Sequence, residues 1–404
     1  MAFLPWVDFA TPRAVWARQG IRAVLRNAAL SRPVKPAGCY ICLDGMPAVR
    51  LDRAPVSPRE YIPWLWIYTP LFFKWMWLAL RYRSLTLPTV ANPHIETGGI
   101  RGESKIAYLR QIGADQQRWV APSTLLRFPE GAHPWPPLRI AEAKMAEAGI
   151  GYPLIAKPDI GSCGYGVRLV RNSGELSAYL ERFPRAQQPV LQQYLPWAGE
   201  AGIFYVRRPG EPRGRILSLG LRYFPHVVGN GRATVGELIA GDVRASRNAK
   251  LHCAAFQDRL DDVLAEGEVL RLTTIASLRV GALYRDGGAY ITPELSRRFD
   301  EIARSMPDFF YGRFDIRFRD MDELAKGEGF SIIEINGAGA EAIHIWDPEL
   351  TIGDAYRSLF QQLDIMFDIA DRNRARGFKP MTARGLLGMQ WKESKLLRAY
   401  PVSN

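Results

Sequence analysis

The stretch FYGRFDIRFRDMDELAKGEGFSIIEIN, residues 310–336, contains two apolar runs that are interrupted by polar side chains at every second position. The first run carries Arg313 and Asp315, and the second carries Glu334 and Asn336. Charged and amide groups are depleted in strands, because a half-buried sheet surface desolvates them without supplying partners. Side chains two positions apart in a strand share a face. We therefore predict a hairpin, closed by the connection 319–328, with one apolar face and one polar face.

The polar face of this hairpin has the composition of a site for a hard cation. Asp315, Glu334 and Asn336 would bring two carboxylates and an amide oxygen together, and such a set suits Mg²⁺, with Mn²⁺ as a substitute. Arg313 beside them would hold an anion that the metal does not fully neutralise. A solvated hairpin face with salt bridges explains the same residues equally well. The hairpin alone leaves both interpretations open.

Composition narrows the class of protein. The chain has 404 residues, of which 47% are hydrophobic, and a net charge of +12, which predicts a globular protein of two or three domains with an anionic partner. That partner could be a nucleotide, an acidic metabolite, nucleic acid or an anionic membrane. The lone pair Cys39 and Cys42 is a weak metal or redox signal. With no secretory signal in MAFLPWVDFATPRAVWARQG, we expect a cytoplasmic protein, or one peripheral on the inner face of the membrane.

Residues 61–80, YIPWLWIYTPLFFKWMWLAL, are almost wholly apolar and aromatic, with Lys74 as their single charge. One interpretation is a buried helix pair at a domain junction. The other is contact with a membrane interface, which the tryptophan and tyrosine content and the following Arg81 and Arg83 favour slightly.

From about residue 101 onward, short strand patterns alternate with helical ones, which predicts an α+β fold. Helices are predicted at 138–147, at 173–183 with Ser173 as the cap, from Thr292-Pro293 onward, and at 353–376 as the last long helix. Strands are predicted at YPLIAKPD, VRLV, PVLQQYL, AGIFYVR and RILSLGLRY. No internal repeat is present.

The segment IAKPDIGSCGYGVRLV, residues 155–170, places Lys157 at a strand end before three glycines, Gly161, Gly164 and Gly166. Glycines let backbone N–H groups approach phosphate oxygens, and a lysine supplies a positive charge. A strand follows the loop instead of a helix, so neither a P-loop nor a dinucleotide-binding turn fits. A hairpin lid over a nucleotide fits better, although the turn alone is more typical of an ordinary hairpin.

The order of these motifs carries a resemblance. GESKIAYLRQIG, IAKPDIGSCGYGV, LQQYLPWAGE, YGRFDIRFRD and FSIIEING together resemble the ATP-grasp superfamily, particularly its ligases of the D-alanine–D-alanine ligase and cyanophycin-synthetase type. PHVVGNGRATVGELI is similar to a segment of the latter. The resemblance covers about 100–376 and implies two α+β subdomains, 101–190 and 191–376, that clasp a nucleotide. Residues 1–100 would form an atypical N-terminal region, and 377–404 a C-terminal tail.

The resemblance also implies a role for individual residues. ATP phosphates would contact Lys105 and Lys157. The lid would be formed by Gly161, Ser162, Gly164 and Gly166, and the adenine hinge by Gln192, Gln193, Tyr194 and Leu195. Glu200 would bind the ribose, and Asp315, Glu334 and Asn336 would bind the metal. Arg313 would steady an acyl phosphate, and Arg222 is the nearest candidate for the lysine that some members place on the central strand.

The activity that follows from the resemblance is an ATP-dependent carboxylate–amine ligase that forms an acyl phosphate and releases ADP. An alternative is an enzyme of cell-surface glycan or lipid biosynthesis acting on a lipid-linked substrate, and a nucleic-acid-binding protein ranks well below both. Glu341 and His344 could contact the second substrate or act as a base, but a capped loop is the better interpretation; His226 has weaker support. Substrates and oligomeric state are not fixed by the sequence, which allows a homodimer.

Overall fold

The computed structural model describes residues 40–41, 43–50, 55–127, 138–161, 164–184, 187–397, 399–400 and 403. Within these residues the strands are β1 (Tyr40–Ile41), β2 (Val49–Arg50), β3 (Ser123–Leu125), β4 (Leu154–Pro158), β5 (Arg168–Val170), β6 (Pro189–Gln193), β7 (Gly199–Val206), β8 (Arg215–Tyr223), β9 (His226–Val228), β10 (Val269–Arg271), β11 (Leu283–Asp286), β12 (Tyr311–Phe318) and β13 (Phe330–Asn336). The α-helices are α1 (Trp64–Arg81), α2 (Lys105–Gln111), α3 (Leu138–Glu147), α4 (Ser173–Arg182), α5 (Val235–Gly241), α6 (Ala249–Ala255), α7 (Pro293–Ser305), α8 (Met321–Ala325), α9 (Ile352–Ala375) and α10 (Ala383–Leu397).

Two antiparallel sheets organise the molecule. The larger sheet has the strand order β11-β8-β7-β12-β13, and the smaller one has the order β3-β6-β4-β5. Strands β1 and β2 pair with each other, as do β9 and β10. Helices pack against both main sheets, so the predicted α+β class is confirmed.

The hairpin predicted from residues 310–336 is confirmed. Arg313 faces Asn336 and Asp315 faces Glu334 across β12 and β13, with an irregularity in the register after Asp315. The intervening residue Phe314 is fully buried in the core. The connection is longer than a simple turn, because it contains α8. The β12 side of the polar face is not solvated, since Arg313 is only 8% exposed and Asp315 only 2%, whereas Glu334 and Asn336 on β13 are half-buried.

The predicted helices are present, with two differences. Asn172, and not Ser173, caps α4, because its side-chain oxygen accepts a hydrogen bond from the backbone N–H of Glu175. The predicted last long helix is observed as α9, but α10 follows it in the region expected to be a tail. Helix α7 begins at the predicted cap Thr292 and buries its apolar face against the larger sheet, with the rings of Phe299 and Phe314 5.4 Å apart.

The aromatic segment 61–80 forms one helix, α1, with Pro70 inside it, and not a helix pair. One face packs on α9, where the hydroxyl of Tyr356 donates a hydrogen bond to the carbonyl of Ile67 and Lys74 pairs with Asp364 at 2.7 Å. The opposite face is exposed at Leu65, Trp66, Phe73, Trp77 and Leu80. No helix among the described residues is long and apolar enough to cross a bilayer.

Residues 86–100, expected to lie in an atypical region, pack directly on the strands that carry the candidate site. We call the contact among Gly98, Gly99, Gly337 and Gly339 the glycine junction. Here the backbone N–H of Ala338 donates to the carbonyl of Gly98 at 3.0 Å, and that of Gly339 donates to the carbonyl of Gly99 at 2.6 Å. A Cβ on Gly99 would lie 2.4 Å from the Cα of Gly337, so this approach requires glycine.

The segment 86–100 is also tied to the larger sheet by Asn92, a fully buried residue. Its side chain donates to the carbonyls of Gly98 and Tyr311, and its side-chain oxygen accepts from the backbone N–H groups of Phe310 and Tyr311. A buried amide whose donor and acceptor groups are both used fixes the chain path on either side of it. The glycine junction is therefore held in place from the N-terminal side.

Candidate functional site

The predicted site residues converge where the two sheets meet, along β13. The ammonium of Lys157 on β4 donates to the carbonyl of Ile333 at 2.9 Å, and the side-chain amide of Gln192 on β6 donates to the same carbonyl at 3.2 Å. Close by, the backbone N–H of Ala121 donates to the carbonyl of Ile332 at 3.0 Å. Side chains from the smaller sheet thus reach into a cleft whose opposite wall is the larger sheet.

Lys157 is buried in this cleft with neutral hydrogen-bond partners. Besides the carbonyl of Ile333, its ammonium donates to the side-chain oxygen of Gln192 at 2.9 Å. Burial lowers its pKa from 10.5 to about 8, although Glu334 acts in the opposite direction. A cation held by neutral oxygens can exchange them for an anionic ligand, which would satisfy it better.

Lys105 lies on the other side of the same opening. It begins α2, directly after Ser104, whose hydroxyl accepts from the backbone N–H of Ala107 and caps the helix. The ammonium of Lys105 donates to the carbonyl of Gly161 and lies 3.6 Å from a carboxylate oxygen of Glu334. Lys105 therefore links the glycine-rich loop to the candidate metal strand.

The glycine-rich loop joins two paired antiparallel strands, as predicted, since Leu154 on β4 faces Val170 on β5. Gly164 and Gly166 have φ values of 73° and 69°, a region that side chains other than glycine rarely adopt. Ser162 lies outside the described residues. The loop is therefore a hairpin tip beside Lys105, and its role as a lid stays a prediction.

The wall formed by the larger sheet carries a buried row of alternating charges, which we call the arginine ladder: Arg313, Asp315, Arg222, Glu200 and Arg317. A carboxylate oxygen of Asp315 lies 2.6 Å from Nε of Arg313 and 3.0 Å from Nη2 of Arg222. Glu200 pairs with Arg222 at 3.1 Å and with Arg317 at 3.3 Å. Three guanidinium groups face two carboxylates, so the ladder has one positive charge in excess.

The ladder fixes the ionisation of its members. Burial alone would raise the pKa of Asp315, but Arg222 and Arg313 outweigh it and hold that pKa below its ordinary value. For the cation Arg222 the directions are reversed: burial alone would lower its pKa, but Asp315, Tyr284 and Glu200 together raise it. Both groups are therefore charged at neutral pH, and each depends on the other for compensation.

The resemblance implies Mg²⁺ at Asp315, Glu334 and Asn336, and the donor chemistry of this set fits a hard cation. Asp315 is already approached by four nitrogen atoms: two from Arg313, one from Arg222 and the side-chain nitrogen of Asn336 at 3.2 Å. A carboxylate offers about four lone-pair positions. Asp315 would thus have to release one of these partners to bind a metal. The carboxylate of Glu334 is approached by the ammonium of Lys105 at 3.6 Å. Among the described residues, no group of three His, Cys, Asp or Glu side chains could hold a metal ion.

The predicted adenine hinge is the end of β6 and the residues after it. Gln192 is engaged in the cleft, since its side chain also donates to the hydroxyl of Ser123 at 2.8 Å. The side-chain oxygen of Gln193 accepts from the backbone N–H of Gly151, away from the cleft. The carbonyl of Leu195 accepts from Arg317 of the ladder at 3.1 Å. The hinge and the ladder are therefore joined, while the roles of Gln193 and Tyr194 stay predictions.

The loop after β13 holds the remaining candidates. The carbonyl of Glu341 accepts from Arg313 at 2.7 Å, and its carboxylate accepts from the hydroxyl of Tyr68 and the indole N–H of Trp346, both at 3.1 Å. His344 lies 3.1 Å from the hydroxyl of Ser358, and burial lowers its pKa. His226 lies 2.8 Å from the carbonyl of Phe224. Each of the three candidates therefore already has a polar contact within the protein.

Some residues of this region were not anticipated. Arg317 follows Asp315 by two positions on β12, so the alternation of side chains around the sheet could have identified it. Arg271 lies over Phe224, with its guanidinium carbon 3.3 Å from the ring centroid, and burial lowers its pKa to about 10. Glu103 is buried beside Arg101, and burial raises its pKa to about 7. No local pattern marks Arg271 or Glu103.

Comparisons with known proteins found similar solved structures at low sequence identity. No family model and no curated protein matches the sequence. Among solved structures, a D-alanine–D-alanine ligase from Bacillus anthracis is similar over 70% of this chain and 72% of its own, with 15% identity and a TM-score of 0.40. A D-cycloserine synthetase is similar over 64% of this chain and 70% of its own, with 13% identity and a TM-score of 0.35.

A bifunctional glutathione synthetase from Pasteurella multocida is similar over 64% of this chain at 17% identity and a TM-score of 0.35. The chain spans only 36% of that protein, and 48% of an N5-carboxyaminoimidazole ribonucleotide synthetase. Likenesses of this extent do not establish a family or an activity. The function is therefore inferred from the charges and contacts of the residues in the cleft.

Proposed function

We propose that the chain is an ATP-dependent carboxylate–amine ligase that works through an acyl phosphate and releases ADP and phosphate. This proposal is carried by one observation, the meeting of two groups of cationic side chains at β13. Lys105 and Lys157 approach from one side with neutral or single carboxylate partners, and the arginine ladder forms the other wall. A triphosphate between them would meet cations on both sides.

The two steps of the ligase reaction require a site with cations on both sides of the nucleotide. Transfer of the γ-phosphoryl group from ATP to a carboxylate oxygen breaks the bond to ADP and gives an acyl phosphate. The nitrogen of an amine then attacks the acyl carbon, the bond to the phosphate oxygen breaks, and the nitrogen gives up a proton to a base. Lys157 would offset charge on the transferring group, because phosphoryl transfer depends on positioning and charge compensation. Mg²⁺ held by Glu334, Asn336 and Asp315 would add further neutralisation.

Arg313 is the residue best placed to steady the reacting anion. Its guanidinium is fixed by the carboxylate of Asp315 and the carbonyl of Glu341, so it presents a preoriented positive charge. Such a group lowers the barrier to reaction more than it raises the affinity for the nucleotide.

The decisive experiment screens pools of carboxylic acids for ADP release and traps the product with hydroxylamine. The wild type should give a hydroxamate and ADP. Arg313→Ala should lower trapping by about a hundredfold while the Kd for ATP changes by less than about threefold. The exposed Arg297→Ala serves as the matched control and should change neither value.

Two outcomes would contradict this proposal. Equal losses of trapping and of ATP affinity in Arg313→Ala would make Arg313 a structural ion-pair partner. Release of AMP and pyrophosphate would exclude an acyl phosphate and indicate adenylation instead.

We further propose that the enzyme works at an anionic membrane surface, which would suit a lipid-linked substrate of cell-surface glycan or lipid synthesis. Trp66, Phe73, Trp77 and Leu80 follow one another at helical spacing and share the outer face of α1. Trp66 and Phe73 are each 65% exposed, and Leu80 is 75% exposed. The guanidinium carbon of Arg81 lies 5.3 Å from the ring centroid of Trp77, at the end of this stripe.

Sedimentation with vesicles of mixed anionic and neutral phospholipids tests this surface. The double variant Trp66→Ser, Trp77→Ser should stay in the supernatant while the wild type sediments at low salt. Trp391→Ser, which removes an equally exposed tryptophan on α10, should sediment like the wild type. Trp75 is unsuitable for this test, because it is buried and its indole N–H donates to the carbonyl of Leu85. A wild type that remains in the supernatant would refute membrane contact.

A further inference from the structure

The C-terminal segment, comprising α10 and residues 399, 400 and 403, lies beside the candidate site and not away from it. The hydroxyl of Tyr400 donates to the carbonyl of Ile160, and that of Ser403 donates to the carbonyl of Gly164 at 2.7 Å. The ring of Tyr400 also stacks on Phe183 with a centroid distance of 5.8 Å. The segment is therefore attached to both sides of the glycine-rich loop.

Helix α10 borders a pocket of ≈ 50 Å³ that opens at the same place as the cleft. The pocket is lined by residues 99–103, 105, 108, 161, 334–337, 339 and 340, and α10 contributes Glu393. The lining thus includes Lys105, Glu334 and Asn336, which the proposed function uses. A molecule in this pocket would lie next to the phosphate-binding and metal-binding groups.

Glu393 is the notable group in this lining. Its residue is only 6% exposed, and its carboxylate oxygen Oε2 accepts no hydrogen bond from any residue that the structure describes. Among the described residues, its ion-pair partner is Nη1 of Arg101 at 3.5 Å, a distance that is too long for a good hydrogen bond. A buried carboxylate oxygen without a hydrogen bond is costly, so this position favours a ligand that brings a donor.

The charges around the pocket indicate what kind of donor fits. Lys105 is already engaged by Glu334 and the carbonyl of Gly161, and Glu103 uses one carboxylate oxygen to accept from the backbone N–H of Arg101 at 2.7 Å. Three carboxyl groups line the pocket against two cations, and Glu103 is only partly ionised at neutral pH because burial raises its pKa to about 7, so the lining has a partial excess of negative charge. A positively charged donor would correct this imbalance and supply the missing hydrogen bond at once.

We propose that Glu393 binds the ammonium form of the amine substrate and so selects a cationic primary amine as the second substrate. This inference rests on the proposed ligase function. It assigns a specificity-determining role to a helix outside the region that the sequence resemblance covers. Glu393 would hold the ammonium in the same pocket as Glu334 and Asn336. Its carboxylate would accept one proton from the ammonium, so that the freed nitrogen lone pair can attack the acyl carbon.

A competition between two nucleophiles tests this role with the full chain. An acid that supports ADP release is supplied with ATP, methylamine and hydroxylamine together, and the amide and hydroxamate products are measured by mass spectrometry. Methylamine is a cation at neutral pH, whereas hydroxylamine is largely uncharged. Glu393→Gln should lower the ratio of amide to hydroxamate about tenfold, because it removes the charge that favours the cation. The surface variant Glu147→Gln should leave the ratio unchanged.

The variant Arg101→Met separates recognition from a structural role. It removes the ion-pair partner of Glu393 and should raise the ratio, since the carboxylate then lacks a competing cation. A similar fall of the ratio in Arg101→Met and Glu393→Gln would show that the pair is structural and would overturn the inference. An unchanged ratio in Glu393→Gln would overturn it as well, while the ligase proposal would stand. Absence of both products in the wild type would refute the ligase proposal and this inference with it.

Discussion

The two walls of the cleft compensate a buried positive charge in different ways. On the larger sheet, Arg222 is held between the carboxylates of Asp315 and Glu200. On the smaller sheet, Lys157 is held by the neutral oxygens of Gln192 and Ile333. Accordingly, neighbouring carboxylates raise the pKa of Arg222, whereas burial lowers that of Lys157.

This difference separates cations that stabilise the fold from cations that can bind an anionic ligand. A guanidinium between two carboxylates is compensated, so removing it damages the structure. An ammonium that lacks a carboxylate in hydrogen-bonding contact is under-compensated, so it gains most when an anion arrives. We infer that Arg222 and its carboxylate partners mainly preserve the geometry of the cleft and that Lys157 mainly supplies affinity for phosphate.

The largest effect is expected from Arg222→Met. Removing this guanidinium leaves Asp315 and Glu200 each with one remaining arginine, so the free energy of unfolding should fall by about 3 kcal/mol, at the lower end of the range for a broken buried ion pair. Chemical denaturation followed by circular dichroism measures this loss. Arg259→Met breaks an exposed pair with Asp262 and should cost less than about 1 kcal/mol. Equal losses in the two variants would show that the ladder does not support the fold.

The second effect is expected from Lys157→Met, which should weaken ATP binding about a hundredfold, or about 2.7 kcal/mol. The same variant should raise the Tm of the unliganded protein, because it removes a desolvated ammonium and keeps the apolar stem. Calorimetric titration and thermal denaturation measure the two quantities. A variant that binds ATP like the wild type would exclude a phosphate-binding role for Lys157.

The smallest effect concerns pH. The pKa of Lys157 is about 8 in the folded protein against 10.5 ordinarily, so the unfolded chain binds more protons between these values. Stability from this group therefore rises as the pH increases through 8. Between about pH 7 and pH 9 the gain should be about 1 kcal/mol, and the difference in unfolding free energy between wild type and Lys157→Met should shrink by that amount. A constant difference across this range would show that Lys157 is not desolvated as described.

Local patterns predicted most of the regular structure. Alternation of polar and apolar residues identified β12 and β13, because the period of two is a property of the strand itself. The cap of α4 was displaced by one residue, since Asn172 and Ser173 both can cap. Helix α10 was missed because Gly385 and Gly388 weaken its helical pattern.

The candidate site was predicted less completely, because its partners lie far apart in the chain. The sequence places Arg313 and Asp315 on one face, but nothing local shows that Arg222 and Glu200 complete the ladder. The burial of that face was also not predictable, since the sequence pattern fits a solvated hairpin equally well. Glu393 lies about 290 positions from Arg101, its ion-pair partner, so only the three-dimensional structure brings the two together.

The glycine junction has a consequence for how the protein reaches its native state. It joins residues 98–99 to residues 337–339, which are separated by about 240 positions, and contacts of such high sequence separation form slowly. During synthesis, the N-terminal half must wait for the strand that completes the cleft. The segment 86–100 would remain without its partner until residues 337–339 have left the ribosome. The cleft is therefore expected to fold late in synthesis, after both segments of the glycine junction are present.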